Sequence, residues 1–151
     1  MSLRFPSVMR VALCLLVVLV AASVVGAEPP RPVAKDHPIV GRWTITLPDG
    51  SCSETYTFRP DGTTLVTSAA EVAESVFEIS AKPGASGFYK WTDRVVKDNG
   101  KKDCSGEITA VGHTATNFVQ FNRSGDIFIM CAEESLERCI GPFKRVQGLS
   151  I

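Results

Sequence analysis

No catalytic signature stands in this sequence. It has no G-x-S-x-G, no H-E-x-x-H and no glycine-rich phosphate loop. Its only two histidines are His37, in a proline-rich stretch, and His113, near a turn signal. Both are expected to be solvent-exposed residues rather than general bases. No C-x-x-C spacing is present, which argues against a zinc site, and neither a metal nor a cofactor is expected. Charge of one sign is also lacking. The 16 basic residues balance 16 acidic ones and form no basic stripe, so nothing points to nucleic acid or an anionic membrane surface. There is no internal repeat and no long stretch of helical periodicity. These absences turn the expectation from catalysis to binding, and from helices to strands.

The chain does open with a long apolar run. Arg4 and Arg10 precede Val11–Val20, and small residues then lead to Val25-Gly26-Ala27, followed by Glu28 and two prolines. That is the layout of a secretory signal peptide over residues 1–27. The apolar span is about 15 residues, short of the roughly 20 that cross a bilayer, so no transmembrane span is expected after cleavage. Arg4 and Arg10 would leave with it, so 14 basic residues would face 16 acidic ones. The expected location is periplasmic, in a Gram-negative bacterium, or secreted. Cys14 would also be lost, leaving Cys52, Cys104, Cys131 and Cys139. An even number in an oxidising compartment reads as two disulfides, with three possible connectivities.

Residues 28–40 hold most of the early prolines and read as a proline-rich N-terminal arm, either a flexible lead-in or a segment that enters a partner's cleft. A single domain follows over 41–151. Trp43, Ile45 and Leu47 alternate with Arg42, Thr44 and Thr46, the period-2 pattern of a half-buried strand. Pro48-Asp49-Gly50 is turn chemistry, and Cys52–Arg59 alternates again, with Glu54, Tyr56 and Phe58 on one face. Pro60-Asp61-Gly62 turns the chain into a third strand, Thr63–Ser68. Residues 69–75 read as a helical turn or a wide loop. Further strands are expected at Val76–Ser80, Gly87–Lys97, weakly at Glu107–Val111, then at Thr114–Asn122, Asp126–Cys131 and Cys139–Val146, where Pro142 marks an edge or a bend. Asp98-Asn99-Gly100 is the strongest hairpin signal, and the Asp98–Asp103 loop is expected to be a plain solvated one. Eight or nine short strands with tight turns predict an all-β, antiparallel up-and-down barrel.

Strand parity bears on the cysteines. If each strand reverses direction, Cys52 and Cys104 lie at one end of the barrel and the loop between Cys131 and Cys139 at the other. That favours Cys52–Cys104 and Cys131–Cys139. Without the weak strand at Glu107 the parity changes for the last pair but not the first.

Gly41-Arg42-Trp43, opening the first strand of a predicted meander, resembles the G-x-W signature of the lipocalins and wider calycins. The resemblance implies a barrel of about eight strands in which Trp43 closes one end beneath a basic residue of the last strand, Arg145 or Lys144. The Tyr56–Thr63 run is similar to that of bacterial lipocalin-like small proteins. A second resemblance, to periplasmic inhibitors of secreted metalloproteases, gives the 28–38 arm a counterpart.

Candidate binding residues follow from the predicted inward face: Trp43, Glu54, Tyr56, Phe58 and Trp91. Glu54 among aromatics reads either as a polar anchor in a ligand pocket or as a structural pair with an arginine or lysine. Phe88, Tyr89 and Trp91 read as core or as pocket wall. Asn122-Arg123-Ser124 fits a glycosylation sequon, which has meaning only in a eukaryotic secretory pathway. The expected function is a monomeric, exported, non-catalytic carrier of a small apolar or amphipathic ligand. The alternative is an inhibitor that meets an exported protein partner through the arm and the barrel-end loops.

Overall fold

A computed structural model describes residues 28–148. The expected signal peptide lies outside the described residues. The chain forms eight strands: β1 (Gly41–Thr46), β2 (Ser53–Phe58), β3 (Thr63–Ser68), β4 (Glu71–Ile79), β5 (Tyr89–Asp98), β6 (Thr114–Phe121), β7 (Ile127–Cys131) and β8 (Cys139–Arg145). Each pairs antiparallel with the next, and β8 returns to β1, so the sheet closes on itself as an up-and-down barrel. Closure removes the free edges that an open sheet would expose.

The alternation read from the sequence sets the register. Trp43 faces Tyr56, and Ile45 faces Glu54, so the inward set of β1 meets the inward set of β2. Both disulfides have the expected partners, Cys52–Cys104 and Cys131–Cys139.

Three local expectations need correction. Residues 71–75 are neither helical nor a wide loop; they belong to the nine-residue β4. A register shift between Glu74 and Ser75 leaves Val96 without a partner and breaks the regular alternation there. Residues 107–111 form no strand. They lie in a long β5–β6 connection where Asp103 accepts bonds from the Ser105 and Glu107 amides, both at 2.9 Å, and so fixes a turn instead of a ladder. With that strand gone, parity changes: the 132–138 loop lies at the same end as Cys52 and Cys104, not the opposite one. Pro142 sits in β8 beside an irregularity in the β7–β8 pairing, which is how a closed barrel accommodates a residue without an N–H.

The barrel interior is divided in two. In the half nearest the N-terminal segment, Trp43, Phe58, Phe77, Val119, Phe128 and Phe143 are fully or almost fully buried. Phe128 and Phe143 stack at 4.4 Å, and Phe58 meets Phe77 and Trp91 edge-on at 5.3 and 5.2 Å. These are favourable aromatic geometries, and they fill the barrel.

The N-terminal segment caps this half. Ile39 is fully buried, and the His37 ring is only 6% exposed, not solvent-exposed as its proline-rich context suggested. Val33 donates to the Pro60 carbonyl at 2.8 Å. Gly62 has φ +83, and a Cβ there would collide with the Arg31 carbonyl, so the second turn admits the segment only as glycine. At least residues 31–40 are therefore part of the barrel base.

Candidate functional site

The base of the barrel is closed by a defined set of bonds. The Arg145 guanidinium lies 4.2 Å from the Trp43 ring centroid, on the neighbouring strand. It donates to the carbonyls of Val40 at 2.9 Å, Pro38 at 2.6 Å and Gly125 at 3.1 Å. Trp43 Nε1 donates to the Ile39 carbonyl at 2.8 Å. Lys144, the other basic candidate, lies opposite Thr44 and is exposed. Burial lowers the Arg145 pKa from its ordinary value, and Asp126 opposes that shift. Gly41, with φ +138, leaves room for Arg145 Nη1 where a side chain would displace it.

The opposite half is different. Here the wall carries carboxylates, and a cavity of about 210 Å³ remains inside the barrel. Glu54, Tyr56, Glu71, Trp91 and Asp93 contribute to its lining, with Val66, Val95 and Met130 as apolar wall. Asp103, Thr109 and His113 of the 99–113 loop also reach it, so that loop lies across the mouth. The Cys52–Cys104 disulfide ties the loop to the β1–β2 turn, and the Cys104 amide donates to Ser68 Oγ at 2.9 Å.

Of the five candidate binding residues, the structure brings Glu54, Tyr56 and Trp91 to this cavity. Trp43 and Phe58 lie below it, in the packed base. Among the described residues Glu54 has no arginine or lysine partner. Its two oxygens accept from Tyr56 Oη and Ser68 Oγ, both at 2.7 Å. Burial, and then the Glu54 charge, push the Tyr56 pKa well above its ordinary value.

Glu71 and Asp93 were not among the expected residues. Glu71 is 4% exposed, and one of its oxygens has no hydrogen-bond partner. Burial raises its pKa, opposed by a hydrogen bond from Thr109 and reinforced by Asp98 and Asp103. Burial likewise raises Asp93, opposed by a Ser75 hydrogen bond and the nearby His113. The buried Trp91 indole N–H also has no partner. Among the described residues no lysine or arginine lines the cavity. Among the described residues no group of three or more His, Cys, Asp or Glu side chains is arranged to hold a metal ion.

The exposed large apolar residues gather at the same end. Val72, Val96, Ile108, Val111, Leu136 and Ile140 all belong to the mouth loops or to strand ends beside them. A second hollow, about 160 Å³, lies where Glu28 and Pro29 cross β4 and β5, and is lined largely from the outer face of the sheet. No helix of the described residues is long and apolar enough to cross a membrane.

Comparison with protein-family models, with curated proteins and with solved structures finds no match to this chain. The closed eight-stranded barrel is compatible with a lipocalin-like fold, and that compatibility rests on the barrel alone.

Proposed function

We propose that this chain is an exported, non-catalytic binding protein that holds a small amphipathic ligand in the half of the barrel away from Trp43. One observation carries the reading: the barrel is packed solid at one end and hollow at the other, and polar groups converge on the hollow half. An eight-stranded barrel has room for side chains alone or for one small ligand. Here Tyr56 and Trp91 do not fill the second half, and Glu54, Glu71 and Asp93 take inward positions beside them. A cavity of about 210 Å³ is smaller than the roughly 300–1,000 Å³ of drug-sized sites, which favours a small ligand over a long-chain lipid. Two disulfides support an oxidising, exported setting.

Native mass spectrometry of the protein purified without detergent tests this. A reproducible extra mass that is lost on denaturation is the expected result. A bare mass, together with failure of every small-molecule probe, would overturn it.

The second reading, a protein inhibitor, draws its support from the six exposed apolar residues around the mouth. The proline-rich segment adds less to it, because residues 31–40 are engaged by the barrel base.

A further inference from the structure

Resting on the cavity reading above, we propose that the ligand is a small organic cation: a protonated amine on a short apolar or aromatic body. Among the described residues, four carboxylates line the cavity, Glu54, Glu71, Asp93 and Asp103, and the only basic lining residue is His113. Asp103 is already held by its own turn, but a neutral or anionic occupant would leave the inward-facing Glu71 and Asp93 with no cationic group beyond His113. A cationic ligand supplies one.

Two further observations point to a ligand rather than to a merely acidic wall. Glu71 is 4% exposed and faces inward from β4, yet one of its carboxylate oxygens, and Oδ2 of the neighbouring Asp98, accept no hydrogen bond from a donor of the described residues. Trp91 is equally buried and faces inward from β5, yet its indole N–H donates to nothing. Buried polar atoms are ordinarily paired. An ammonium group provides the donor that Glu71 lacks, and a hydroxyl or ether oxygen on the same molecule would provide the acceptor that Trp91 lacks. Glu54 is less available, because Tyr56 and Ser68 already occupy its oxygens. The side chains of Tyr56 and Trp91 line the same cavity and supply apolar surface for the body of the ligand.

Binding is coupled to protons. The groups facing the ammonium position are Glu54 and Tyr56 from β2, Glu71 from β4, Asp93 and Asp98 from β5, and Asp103 and His113 from the mouth loop. Burial holds Glu71 and Asp93 protonated to higher pH than ordinary carboxyls. A cation needs them ionised, so affinity rises as pH climbs through their raised values and falls below them.

The test uses three probes of matched size: 2-phenylethylammonium, 2-phenylethanol and 3-phenylpropanoate, titrated calorimetrically into the oxidised protein at about pH 8 and about pH 5. The ammonium is expected to bind at the higher pH at least about tenfold more tightly than the alcohol, the scale of a charge-assisted hydrogen bond, and to weaken at the lower pH. The carboxylate is expected not to bind. Glu71→Gln and Asp93→Asn should each weaken the ammonium by about tenfold and the alcohol by clearly less. Both variants remove a buried charge, so both are expected to fold, and thermal melts confirm it. If the alcohol or the carboxylate binds as tightly as the ammonium, the cationic class is wrong and the cavity reading survives. If none of the three binds and the purified protein carries no extra mass, the cavity reading itself falls.

Discussion

Replacing Arg145 with alanine removes its hydrogen bonds to Pro38, Val40 and Gly125 and the cation over Trp43. The expected loss is about 2–4 kcal/mol of folding stability, the scale of charged hydrogen bonds plus one partly desolvated cation–π contact. Arg145→Lys should recover only part of it, because an ammonium is a compact charge without the planar fork that reaches several carbonyls at once. Denaturant unfolding of the two variants measures this; equal stability of wild type and Arg145→Ala would remove Arg145 as the clasp of the base. At this scale Trp43 and Glu54 were legible from strand alternation, since period 2 fixes which side chains share a face, whereas Arg145, with Lys144 as its alternative, came only from the resemblance of the G-x-W start. Glu71 and Asp93 were not. Glu71 faces inward while its neighbour Val72 faces solvent, the reverse of the usual apolar-in pattern, and nothing in a single sequence marks such an inversion.

At the scale of elements, the segment before β1 behaves as a strap. His37 Nδ1 accepts from the Ile39 amide at 3.2 Å, so its Nε2–H is the donor to the Ser80 carbonyl at 3.1 Å. That is the neutral ring, and burial lowers its pKa below the ordinary value. A group with a depressed folded pKa of this cationic type contributes stability above its unfolded value, about 6.5, and loses it as pH falls through the folded value. Thermal melts against pH should therefore show an acid-side loss that His37→Gln, which does not titrate, lacks; parallel profiles would contradict it. The 99–113 loop gives a second prediction. Removing Cys52–Cys104 by paired serine substitution opens a loop closed across a separation of 52 residues, at a cost on the order of 4 kcal/mol, and frees one side of the mouth. Ligand dissociation should accelerate more than association does, as stopped-flow would show. Turn chemistry at Pro48–Gly50 and Pro60–Gly62 made the first hairpins plain from sequence. The strap was hidden because prolines read as disorder, although His37 and Ile39 anchor it. The weak 107–111 pattern was misread because Asp103 satisfies the local amides within its own turn.

The whole molecule joins a solid aromatic base to an acidic chamber, and its stability should record that division. Glu71 and Asp93 have raised pKa values in the fold. Their contribution is fully present below the unfolded carboxyl value, about 4, and is lost as pH rises through the folded values. The ligand-free protein should therefore weaken over that window, and Glu71→Gln with Asp93→Asn should flatten the decline. The barrel class was legible from strand count, turn spacing and the G-x-W start. The chamber was not, because filled and hollow barrels share the same alternation and differ only in which side chains meet across the interior.

The most direct test of the account uses the chain's two tryptophans. Trp43 is sealed in the base with its indole N–H bonded to Ile39, whereas Trp91 borders the chamber with its N–H unpaired. Their indole signals in a two-dimensional ¹⁵N–¹H spectrum would be followed while 2-phenylethylammonium is added. The Trp91 signal should move, saturate and revert on acidification, while the Trp43 signal stays in place. Movement of Trp43 in its stead, or no movement of either at saturating probe, would contradict a barrel with a closed base and a cation-binding chamber above it.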